Sequence, residues 1–76
     1  MHDRIEINPH IQHGKPVIRG TRVPVTTVLS ALAGRMARAE IVEEYGVSEE
    51  DIDAALVYAV ELVEEEQHYP LPASVS

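Results

Sequence analysis

Residues 14–25 read Gly-Lys-Pro-Val-Ile-Arg-Gly-Thr-Arg-Val-Pro-Val, and this stretch constrains the fold more than any other. It sets two glycines, two prolines and three cations around a short β-branched run. Val17-Ile18 has the residue types of a strand. Gly14 and Gly20 admit backbone angles that other residues resist, which predicts tight turns on either side of that strand. Pro16 cannot donate a ladder hydrogen bond, so the strand is expected at a sheet edge. Pro24 has the ring angle of a first helical turn, and a helix is expected to begin there. A chain that must turn, extend, turn again and start a helix over so short a span has few folds open to it.

The flanking segments fill in the rest. Ile5-Glu6-Ile7 alternates and stops at Asn8-Pro9, predicting a first strand antiparallel to Val17-Ile18, with residues 8–15 as the connection. A helix is expected from Pro24 or Val25 to Ala33. Val25, Val28, Leu29 and Leu32 share one face of it, and Gly34 is the expected left-handed stop. A second, short helix should run from Ala37 to Tyr45, with Ile41, Val42 and Tyr45 inward and Gly46 ending it. Its start is weakly marked because Ala37 cannot cap, which predicts a frayed first turn. The third helix opens on Ser48 as N-cap, with Glu49, Glu50 and Asp51 over its positive end and Asp51 in the capping-box position. It should reach Glu66, with Ile52, Ala55, Leu56, Ala59, Leu62 and Val63 as its core stripe. The fold class is therefore mainly α: a short N-terminal β-hairpin followed by a three-helix, helix-turn-helix-like bundle of homeodomain-like outline. The expected division is a hairpin arm over 1–24, a three-helix domain over 25–66 and an extended tail over 67–76, whose alternating prolines exclude a helix.

Size adds a further constraint. With 76 residues and no Phe, Trp or Cys, the chain has one small core without aromatic anchors or disulfides. Chains this short bury only about 60% of their unfolded surface, and self-association is a common remedy. A lone two-stranded hairpin is also unstable in water, so its edge invites a second copy. Between Asp53 and Glu61 every residue is apolar or aromatic, and a helix that is apolar all round must be covered on more than one side. A homodimer is the expectation. No stretch of 18 apolar residues is present, so no membrane span is expected, and the cysteine-free composition suits a cytoplasmic address.

Gly14, Pro16, Ile18, Gly20, Thr21, Arg22, Pro24 and Val25 resemble the Gly-x-Pro-x-Ile-x-Gly-Thr-Arg-x-Pro-Val pattern of a small prokaryotic family, domain of unknown function 433. Glu40-Ile41, Tyr45 and the run from Asp51-Ile52 through Tyr58-Ala59 also look like that family, so the resemblance spans about residues 5 to 63. It implies a compact helix-turn-helix-like domain, in many cases an antitoxin paired with a PIN-like ribonuclease toxin.

Charge is segregated along the chain. All six basic residues lie in the first 38 positions beside two acids, giving +4, whereas the remainder holds eleven acids and no Lys or Arg, giving −11. Such asymmetry predicts two surfaces with different partners, or one surface that pairs with a copy of the other, the bland reading being that charge merely keeps a small domain soluble. The third helix occupies the recognition position of a helix-turn-helix, yet its acids would be repelled by a duplex carrying a charge about every 1.7 Å. Any contact to DNA therefore falls to Lys15, Arg19, Arg22, Arg35 and Arg38. The bland role for Arg19 and Arg22 is structural, pairing with Glu43 or Glu44 or bonding to loop carbonyls, and that role is favoured for Arg22. Thr21 is expected to brace its turn through its hydroxyl.

His10 and His13 form a His-x-x-His pair, but they lie in a Pro- and Gly-flanked connection without a nearby third ligand, so no metal is expected. No nucleophile constellation or phosphate loop is present, and neither an enzyme nor a cofactor site is expected. The residues expected at a protein interface are Ile5, Ile7, Val17, Val57, Tyr58, Val60, Glu61 and Glu64. The leading expectation is a dimeric antitoxin-type module that holds a PIN-like toxin, with its acidic helix mimicking RNA. The alternative is a small DNA-binding regulator using the basic N-terminal arm.

Overall fold

A computed structural model describes residues 3–66 of the chain. Two short strands, β1 (Ile5–Glu6) and β2 (Val17–Ile18), precede three helices, α1 (Val25–Ala33), α2 (Arg38–Tyr45) and α3 (Glu49–Glu66). The strands are antiparallel, with Ile5 opposite Ile18 and Glu6 opposite Val17. A tight left-handed turn, Gln12–Gly14, with φ of 52°, 56° and 85°, folds the connection between them.

The turn after β2 forms as its residues dictate. Gly20 takes φ 82° in a turn closed by the Thr21 amide on the Ile18 carbonyl at 3.0 Å. Thr21 Oγ1 donates to that same carbonyl at 2.7 Å and accepts the Val23 amide at 2.9 Å, so one hydroxyl braces both sides of the bend. The turn carries residues 23–25 back alongside β2. There the Ile18 amide donates to the Val23 carbonyl and the Val25 amide to the Pro16 carbonyl, with Val17 bridged to Pro24. The expectation of an open edge at β2 is thereby corrected. Pro16 uses its carbonyl where it has no amide to offer, and β2 is flanked on both sides.

Two helix ends also differ from expectation. Gly34 has an ordinary φ of −82°, and it is Arg35, at φ 69°, that adopts the left-handed conformation after α1. The Arg35 amide bonds to the Leu32 carbonyl and the Met36 amide to the Ala31 carbonyl, the paired bonds of a Schellman ending displaced one residue beyond the glycine. At the start of α2, Ala37 has no side-chain cap, but its own amide donates to Glu40 Oε1 at 3.0 Å, so half of a capping box holds the turn that was expected to fray. Gly46 ends α2 at φ 68° as predicted.

The core is one cluster to which every element contributes. Ile5, Ile18, Val25, Val28, Ile41, Val47, Ile52 and Ala55 are buried in it, and Leu29, Leu32, Val42, Tyr45 and Tyr58 pack around it. The hairpin arm and the helices thus share a single core. Helix α3 contributes to it through Ile52, Ala54, Ala55 and Tyr58. Leu56, Leu62 and Val63, expected in the core stripe, are 40%, 44% and 54% exposed. The tail assigned to 67–76 lies outside the described residues.

Candidate functional site

Helix α3 is 18 residues long, or about 27 Å at 1.5 Å per residue, and its two halves have different surroundings. The first half is locked in place. Ser48 Oγ accepts the Asp51 amide at 3.0 Å while Asp51 Oδ2 accepts the Ser48 amide at 2.9 Å, a complete capping box despite the short carboxylate. Arg4 reaches across from the chain before β1 and pairs with Asp51 at 3.1 Å. Arg38, in the first turn of α2, spans Glu49 at 2.8 Å and Asp53 at 2.7 Å. Hydrogen bonds to Glu49 and then Asp53 push the Arg38 guanidinium pKa up from its ordinary value.

The second half presents unmatched surface. Val57, at 51%, and Val60, at 55%, are exposed together with Leu56, Leu62 and Val63. Residues 58, 59, 62 and 63 recur one turn apart and face back toward α1. There Tyr58, Ala59, Leu62 and Val63 form one wall of a groove of about 400 Å³, with Pro16, Val25, Thr26 and Leu29 forming the other. The floor is almost wholly apolar. Glu61, Glu64 and Glu65 are exposed on the same turns of the helix, and the last turn holds no basic residue.

The expected interface residues divide accordingly. Ile7, Val57, Val60, Glu61 and Glu64 are exposed, and Tyr58 is half-buried at the groove wall. Ile5 and Val17 are not available to a partner: they are 6% and 0% exposed, because the segment 23–25 and the helices cover the hairpin within the same chain.

The five basic candidates do not form one patch. Arg19 directs Nε to the Asp3 carbonyl and Nη2 to the Ile5 carbonyl, stitching the chain before β1 to the turn after β2. Arg38 is committed to two carboxylates. Arg35 sits beyond α1, a nine-residue helix of about 14 Å, at the opposite end from Arg22. Lys15 and Arg22 flank the Gln12 turn: the Lys15 amide bonds to the Gln12 carbonyl, and Gln12 Nε2 donates to the Arg22 carbonyl. The structural role expected of Arg22 passes to Arg19. Among the described residues the Arg22 side chain is exposed and makes no hydrogen bond, and neither arginine pairs with Glu43 or Glu44. His10 and His13 are exposed in the connection, and no group of three metal-ligating side chains occurs among the described residues. None of the described helices is long and apolar enough to cross a membrane.

The groove was missed in the sequence, although both of its walls were visible there as the stripes Val25–Leu29 and Ala59–Val63. What was lacking was any sign that the second stripe outruns the core. The family model described as "protein of unknown function (DUF433)" matches residues 5–59. No curated protein and no solved structure matches the chain.

Proposed function

The chain belongs to the DUF433 family, and we propose that it acts as a protein-binding module of antitoxin type. In this reading it self-associates and holds a PIN-like ribonuclease toxin, using the distal half of α3 for at least one of these contacts. The observation that carries the reading is that Leu56, Val57, Val60, Leu62 and Val63 are each at least 40% exposed within about two turns of one helix, spread over more than one of its faces. Single exposed aliphatics are ordinary, whereas a contiguous group rimmed by charge is the mark of an interaction site. The acids beside it give the partner its sign. A ribonuclease must present cations to the RNA backbone, and an acidic helix end with an aliphatic side suits such a surface. The resemblance in residues 14–25 points to the same class of partner.

Co-expression with a PIN-like protein from an adjacent reading frame tests this. The expected result is co-purification and loss of ribonuclease activity, with both abolished by charge reversal at Glu61 and Glu64 to Glu66. Binding that ignores those reversals discards RNA mimicry, and failure of the two chains to associate discards the antitoxin reading.

The DNA-binding alternative draws less support from the geometry. With Arg38 ion-paired, Arg19 bonded to carbonyls and Arg35 remote, only Lys15 and Arg22 stand close together with their charges unengaged. A mobility shift on its own promoter that falls steeply with salt and is lost in Arg22→Ala would restore it.

A further inference from the structure

We infer that the Arg19 guanidinium guards the outer edge of β1 and keeps it from pairing with β1 of a second copy. Among the described residues the strands run β1, β2 and then the segment 23–25, so the sheet has two outer edges. Such edges present unpaired amides and carbonyls to other chains, and soluble folds blunt them with prolines and charged side chains.

The edge at 23–25 is closed by Pro24. The Ile18 amide on the Val23 carbonyl and the Val25 amide on the Pro16 carbonyl flank the Val17–Pro24 bridge, so the Pro24 backbone faces away from β2. Proline has no amide to offer there, and its carbonyl accepts the Thr27 amide at 3.0 Å. That position has no donor and an acceptor already engaged.

The edge at β1 has no proline and is closed by a charge. The Arg19 amide donates to the Arg4 carbonyl at 2.7 Å. Ile5 and Ile18 are thereby a non-hydrogen-bonded pair, and the Ile5 amide and carbonyl point away from β2. The Arg19 side chain reaches across to this side, where Nη2 donates to the Ile5 carbonyl at 3.4 Å and Nε donates to the Asp3 carbonyl. A planar guanidinium holds two carbonyls through separate nitrogens, which the single ammonium of a lysine does not match. A strand approaching β1 must bond the Ile5 carbonyl, and so it has to displace this group.

Without that obstacle the edge complements itself. An antiparallel pairing centred on Ile5 sets its amide against the Ile5 carbonyl of a second copy, and the reverse. It also places Arg4 opposite Glu6 in both directions, a favourable cross-strand pair. Arg4 keeps half of its side chain in solvent beside Asp51. Ile7 is 61% exposed, and its amide and carbonyl make no hydrogen bond among the described residues, so the pairing can run on past Glu6.

The test compares the full chain with Arg19→Ala and Arg19→Lys by sedimentation over a range of concentrations, and follows the Ile7 amide by hydrogen exchange. In the unsubstituted chain the Ile7 amide should exchange rapidly at every concentration. Arg19→Ala should approach about twice the sedimenting mass of the unsubstituted chain as concentration rises, with the Ile7 amide protected in step. Arg19→Lys should do the same more weakly, and it decides the matter if Arg19→Ala does not fold. Adding Glu6→Arg to either variant should abolish the extra association, because it sets a like charge opposite Arg4 of the second copy. Mass is read relative to the unsubstituted chain, so self-association through α3 does not obscure the result.

A folded variant that keeps the mass of the unsubstituted chain and a rapidly exchanging Ile7 amide at high concentration would overturn the inference. Arg19 would then only tie the chain before β1 to the turn after β2. Protection of the Ile7 amide that grows with concentration in the unsubstituted chain would overturn it too, since the edge would be pairing with Arg19 in place.

Discussion

The two halves of α3 share one helix and one residue vocabulary of aliphatics and acids, yet they solve different problems. In the first half, Ile52 and Ala55 are fully buried, and the acids are spent on a capping box and on Arg4 and Arg38. In the second half, the same aliphatic residue types face solvent. The difference comes from what stands opposite. The hairpin, α1 and α2 surround the first half, whereas beyond Tyr58, among the described residues, α1 and Pro16 approach one side. A helix continued past its own core exposes surface suited to a partner.

The largest effect should separate the halves by burial. Ile52→Ala is expected to cost about 2–5 kcal/mol in urea unfolding, while Val57→Ser stays within about 0.5 kcal/mol. A large, concentration-dependent loss for Val57→Ser would break the contrast and place that residue in an interface between copies. Next comes the cap. Ser48→Ala should cost about 1 kcal/mol, since it removes the acceptor of the Asp51 amide at the secured end of α3.

Charge should then reverse sign between the halves. Glu65→Lys is expected to stabilise by about 0.3–1 kcal/mol at low ionic strength, since it places a cation at the negative helix end. Glu50→Lys, in the first turn, should destabilise by a similar amount, and salt should erase both changes. Thermal melts in low and high salt would show this, and equal signs at the two positions would contradict the dipole argument. The smallest effect is expected from Arg38→Ala. Its ion pairs are solvent-exposed, so only a slight fall in Tm should follow, and a large fall would mean that the first half depends on that bridge.

Much of this architecture is legible in the chain. Thr21, Gly20 and Ser48-Glu49-Glu50-Asp51 act within three residues of themselves, so their hydrogen bonds follow from residue type and spacing. The first residues of α1 and α3 fall where predicted, at Val25 and Glu49. Arg35 shows the limit of such rules. A glycine one position earlier should have taken the left-handed turn, but the bonds from Arg35 and Met36 back into α1 place the reversal at Arg35, and Met36 packs against the core. The edge strand failed similarly, because a proline signals a missing donor and says nothing of how its carbonyl is used.

The sequence by itself determined the elements, their order, the cap of α3 and the segregation of charge, since all of these depend on neighbours a few residues apart. Only the tertiary structure decided that Arg38 is spent on Glu49 and Asp53, that Ile5 and Val17 are internal, and that two aliphatic stripes meet in a groove. Periodicity tells which side of a helix is apolar, but how far along that side the core reaches depends on the lengths and packing of the elements opposite.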